Sequence, residues 1–143
     1  VFGAFVAGEA ALIETLIQQA RTYIYTTALP PAVAEAVRAS LRIVQEEGWR
    51  RERLRTLVAQ FRTGAERLGL VLMSSPTPIQ PVVLGTAEAA LRASQQLRKQ
   101  GILVPAIRPP TVPEGSARLR ITFSAAHEEQ HVDRLLDAFS NIS

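Results

Sequence analysis

The chain has 143 residues, 47% of them apolar, a net charge of +3 and no cysteine. That apolar content can bury the core of one domain, or of a large piece of one, and excludes a disordered chain. The missing cysteines exclude a disulfide framework and suit a reducing compartment, so a cytoplasmic protein is expected.

"VFGAFVAG" opens the chain, and its apolar run predicts a buried strand over 2–8 with a small-residue turn after it. No basic stretch precedes this run and Glu9 interrupts it, so it reads as neither signal peptide nor membrane span. A strand that starts at the first residue leads us to expect a fragment, truncated at its N-terminus. Leu12, Ile13, Leu16, Ile17 and Ala20 follow helical spacing to about Arg21. "YIYTTALPP" (23–31) is expected to be extended, because Pro30 and Pro31 each push the preceding residue away from helix. Proline is well tolerated at a helix start, and Val33, Val37, Leu41 and Val44 carry the next helix to Gly48. From Trp49, a stripe of Leu54, Leu57, Val58, Phe61, Ala65 and Leu68 predicts a long amphipathic helix.

"SSPTP" (74–78) reads as a linker and a boundary before a C-terminal unit. The predicted order there is strand 79–84, helix 86–100, strand 102–107, loop, strand 117–124 and helix 127–139. In the last strand Leu119, Ile121 and Phe123 alternate with Arg118, Arg120 and Thr122. The fold class is α/β with an α+β C-terminal unit, a small β-α-β-β-α sheet covered by helices on one face.

"HEEQH" (127–131) matches the zinc-peptidase pattern H-E-x-x-H. A catalytic zinc needs a third protein ligand, and the chain has no other histidine and only twelve residues after His131. We therefore expect no metal site. Ser124 is expected to cap the last helix, with the acidic residues favouring its N-terminal end. Glu46, Glu47 and Glu52 interleave with the arginines of "RRERLR" (50–55), which a phosphate-tracking surface would not normally have, so it is read as a solvated helix face and not a nucleic-acid site. Arg118 and Arg120 are read the same way, with a role open for them if a pocket lies near.

Thr26 and Thr27 precede the helix that begins at the prolines; their hydroxyls can cap that helix or help hold a phosphate at its N-terminus. Arg108 is the only charge between Lys99, the single lysine, and Glu114, and Pro109 and Pro110 fix the backbone after it. A rigidly mounted guanidinium suits a small carboxylate, and a surface ion pair is the other reading.

Three stretches carry a resemblance: "YIYTTALPPA", "TPIQPVVLG" and "LVPAIRPPTVPEGSARLRITFSAAH". Together they resemble the α-oxoamine synthase family of fold-type-I pyridoxal-phosphate enzymes, over essentially the whole chain. The continuous "AIRPPTVPEG" points to the branch that makes 8-amino-7-oxononanoate, whereas 2-amino-3-ketobutyrate ligase is a sister. The resemblance implies a homodimer that condenses L-alanine with a pimeloyl thioester, on CoA or a carrier protein, with loss of CO₂ in biotin synthesis. Its cofactor would be pyridoxal 5'-phosphate, held by a Schiff-base lysine expected upstream of Val1; Lys99 does not match that position. Arg108 would hold the substrate carboxylate, Thr111 would contact substrate, and Thr26 and Thr27 would reach the cofactor phosphate of the neighbouring subunit. Residues 1–48 would end the large cofactor-binding domain, and 49–143 would be a linking helix and the small domain. The chain alone would be inactive. A stand-alone domain that binds a small carboxylate is the alternative.

Overall fold

The computed structural model describes residues 4–142. In chain order the elements are α1 (Ala10–Gln19), α2 (Arg21–Ile24), α3 (Pro31–Glu46), α4 (Trp49–Arg67), β1 (Ile79–Gly85), α5 (Ala87–Lys99), β2 (Ala106–Ile107), β3 (Ala117–Thr122) and α6 (Glu129–Ser140). They form two compact units that divide between Gly48 and Trp49.

The first unit is helical. Residues 4–9 are not a strand, and 1–3 lie outside the described residues. A strand needs a hydrogen-bonded neighbour, and this unit supplies none among its described residues. Arg21–Ile24 forms one helical turn, so Tyr23 and Ile24 are helical where the sequence suggested extension. The proline restriction reaches only the residue before each ring, so the chain becomes extended just ahead of α3, with Pro30 at ψ 138°. None of α1, α2 or α3 buries a residue, although α3 carries a clear apolar stripe. Phe5, Tyr23 and Tyr25 stay exposed as well.

The second unit has a packed core. Leu57, Phe61 and Ala65 recur every fourth residue on α4 and are wholly buried. They meet Ala93 and Leu97 of α5, Val132, Leu135 and Phe139 of α6, and Val82, Leu119, Ile121 and Phe123 from the sheet. The Phe61 and Phe123 rings sit 5.5 Å apart in a tilted pair. Thr86 caps α5 by accepting the Ala89 N–H, and Arg98 and Lys99 in the last turn complement the helix dipole. Lys99, the only lysine, thus lies at a helix end. α4 approaches α6 closely at Gly64, where a β-carbon would run into the Leu136 methyls.

The sheet is antiparallel with strand order β1-β3-β2. Strict alternation in β3 buries Ala117, Leu119 and Ile121 and turns Arg118, Arg120 and Thr122 to the opposite face. The predicted strand over 102–107 shortens to Ala106–Ile107, paired with Leu119 and Arg118. Pro105 has no N–H to continue that edge, though its carbonyl still accepts from Arg120. "SSPTP" is no boundary between units, because it lies inside the second one. Gln80, the one buried polar residue among the described residues, ties it down. Its Nε2 donates to the Ser75 and Thr77 carbonyls, and its Oε1 accepts from Arg62 of α4 at 2.7 Å.

Candidate functional site

Arg108 follows directly on β2, at the point where the antiparallel pair with β3 ends. Its carbonyl accepts the Thr111 N–H at 3.1 Å, so one turn brings together these two predicted site residues. The peptide between Pro109 and Pro110 is cis. The loop returns through a second turn, where Ser116 donates both its N–H and its hydroxyl to the Pro113 carbonyl. Gly115, at φ 74°, takes the left-handed conformation this turn requires. The Arg108 side chain is exposed and has no ion-pair or hydrogen-bond partner among the described residues. The surface-pair reading therefore finds no partner among the described residues, and there the guanidinium fork is uncommitted.

Two further arginines stand on the open face of the sheet. Arg118 is engaged: its Nε donates to the Ser116 carbonyl at 2.9 Å and its Nη1 contacts the Met73 sulfur. Arg120 is exposed and, like Arg108, has no side-chain partner among the described residues. The alternation of β3 showed in the sequence which face these two occupy, but not which of them was free.

Thr26 and Thr27 lie in the first unit, in the exposed stretch leading to α3. Neither caps that helix: Pro30 is the N-cap residue and no side chain supplies a cap bond. Both hydroxyls are left uncommitted beside a helix N-terminus, which fits a phosphate group.

"HEEQH" lies at the N-terminal end of α6. His131 Nδ1 accepts the Glu128 N–H at 2.9 Å, and Glu128, not Ser124, is the N-cap residue, closing a capping box with His131. His127 Nδ1 accepts the Ser124 N–H at 3.2 Å. With Nδ1 accepting a backbone N–H, the neutral form of each imidazole carries its proton on Nε2. Both rings border a cavity of about 390 Å³ that neither Arg108 nor Thr111 lines. Ser124 accepts instead from the Ala126 N–H.

The profile of the family described as aminotransferase class I and II matches residues 1–139. The chain belongs to that family. It is 71% identical over 136 residues to the 8-amino-7-oxononanoate synthase of Thioalkalivibrio sulfidiphilus, a match covering 95% of this chain and 35% of that protein. The protein of the same name from Nitrosococcus oceani is 67% identical over 141 residues, covering 99% and 37%. Among solved structures, 8-amino-7-oxononanoate synthase from Francisella tularensis matches with a TM-score of 0.79 and 31% identity, over 93% of this chain and 39% of that one. Serine palmitoyltransferase from S. paucimobilis with bound PLP-myriocin matches with a TM-score of 0.84 and 29% identity, over 90% and 33%. The chain spans about a third of the length of the curated relatives it matches. The α/β fold class read from the sequence is that of these transferases.

Proposed function

We propose that the full-length protein is a pyridoxal-phosphate-dependent acyltransferase that condenses L-alanine with a pimeloyl thioester, on CoA or a carrier protein, to 8-amino-7-oxononanoate with loss of CO₂. The identity of 71% to a protein of that name carries this reading. Pyridoxal phosphate, when bound, supplies an electron sink for the substrate carbon. Arg108 grips the alanine carboxylate in its planar fork, and this sets which bond at the substrate carbon is presented for cleavage. Thr111, one turn away, contacts the same substrate. Thr26 and Thr27 donate to the cofactor phosphate, in a homodimer to that of the neighbouring subunit. Their uncommitted hydroxyls support this role.

Residues 1–48 belong to the large cofactor-binding domain in this reading. The absence of any buried residue in α1–α3 supports it, since an apolar stripe of that length is normally covered. In this reading the lysine that attaches the cofactor lies outside this chain, and Lys99, in the last turn of α5, does not take that role. The chain alone is then inactive. The reading places the enzyme in the cytoplasm; among the described residues no helix is long and apolar enough to cross a membrane.

The deciding experiment is Arg108→Ala in the full-length enzyme. Loss of a charge-assisted bidentate pair removes about 2–3 kcal/mol, so the KM for alanine should rise roughly 30- to 150-fold while that for the thioester stays within twofold. An unchanged alanine KM rejects the role. Arg120→Ala, run alongside, tests the second uncommitted guanidinium: a larger effect there than at Arg108 moves the grip to Arg120.

A further inference from the structure

Arg118 differs from Arg108 and Arg120 in that two of its nitrogens, Nε and Nη1, are engaged within the chain. The loop between β2 and β3 has three prolines, Pro109, Pro110 and Pro113, which offer no N–H to hold it. Among the described residues its internal hydrogen bonds form two separate turns. Thr111 to Arg108 closes the first, and Ser116 to Pro113 closes the second. Neither turn bonds to the other. The Arg118 Nε bond to the Ser116 carbonyl fastens the second turn to the sheet.

The far end of the same side chain is anchored too. Arg118 pairs in register with Val83 on β1 and with Ile107 on β2, the residue before Arg108. Its guanidinium reaches the Met73 sulfur, and Met73 is itself bonded to β1 through its N–H and the Pro81 carbonyl. The side chain thus runs from the loop end across the open sheet face to a fixed point beyond β1. No carboxylate neutralises it among the described residues. Its charge is held on the same face as Arg120.

We infer that Arg118 is a positioning residue: it braces the loop 109–116 and thereby fixes Arg108 and Thr111 for the amino-acid substrate, without touching that substrate. This rests on the reading that Arg108 grips the substrate carboxylate. The test uses the full-length enzyme with Arg118→Ala, Arg108→Ala and the double variant, and Arg118→Lys as the milder change. Arg118→Ala should raise the alanine KM about tenfold, leave kcat and the thioester KM within twofold, and have under a twofold further effect when Arg108 is already alanine. Arg118→Lys, which keeps the charge and one donating nitrogen, should recover most of the loss. Additive effects in the double variant, or an unchanged KM, overturn the inference. Hydrogen exchange across 109–116 separates the brace from the functional reading. Faster exchange in Arg118→Ala supports the brace even if Arg108→Ala leaves alanine binding intact, which would sink the functional reading instead. Unchanged exchange overturns the brace itself.

Discussion

Gln80→Leu sets two opposing terms against each other at the centre of the C-terminal unit. Gln80 is wholly buried and makes three side-chain bonds: one from Arg62 at 2.7 Å, and two to the Thr77 and Ser75 carbonyls at 2.6 and 3.2 Å. Leucine has nearly the same volume, and burying it in place of an amide contributes about 1–2 kcal/mol. Against that, the charge-assisted bond from Arg62 is worth about 1.5–3 kcal/mol and each carbonyl bond about 1 kcal/mol. Arg62 is only half-buried and keeps a bond to the Met73 carbonyl, so water and that bond recover part of the loss. The net cost is about 2 kcal/mol, the polar term winning. In a unit of this size that lowers Tm by about 10 °C, read by scanning calorimetry of the chain. Arg62→Ala alone should cost less, since Gln80 then keeps both carbonyl bonds. An unchanged or raised Tm for Gln80→Leu would refute the reasoning, because it would mean that shape and apolarity outweigh the three bonds.

Gly64→Ala gains about 1 kcal/mol of helix propensity but forces a methyl against Leu136, an overpacking cost of about 1–3 kcal/mol. It should lower Tm in the native background and raise it once Leu136 is alanine, and a rise in both would show that the helices do not meet there. His131→Ala should cost about 1 kcal/mol by opening the capping box, whereas His131→Gln, which can still accept the Glu128 N–H, should cost little; equal losses in thermal unfolding would exclude the cap.

Much of the C-terminal unit was legible in the sequence because its signals are periodic and local. The every-fourth-residue stripe of Leu57, Phe61 and Ala65 and the alternation around Leu119 each follow from how side chains project from one element. The failures share a cause, which is that they depend on a partner. "FGAFVAG" has the composition of a strand, yet residues 4–9 have no neighbour to pair with among the described residues. Residues 102–107 are apolar throughout, but only two of them reach β3.

The candidate site divides in the same way. The amino-acid order by itself determined where a stiffly mounted arginine stands, because proline fixes its own backbone whatever surrounds it. It also showed hydroxyls placed ahead of a helix start. Only the tertiary structure decided which side chains are free to act, since that depends on residues distant in sequence. It left Arg108 and Arg120 uncommitted, spent Arg118 on Ser116 and Met73, and turned the lone pairs of "HEEQH" onto the backbone. A charge or an imidazole looks the same in a sequence whether or not its bonds are already made. Folding distributes those bonds, and what remains unbonded is what the site can offer to a ligand.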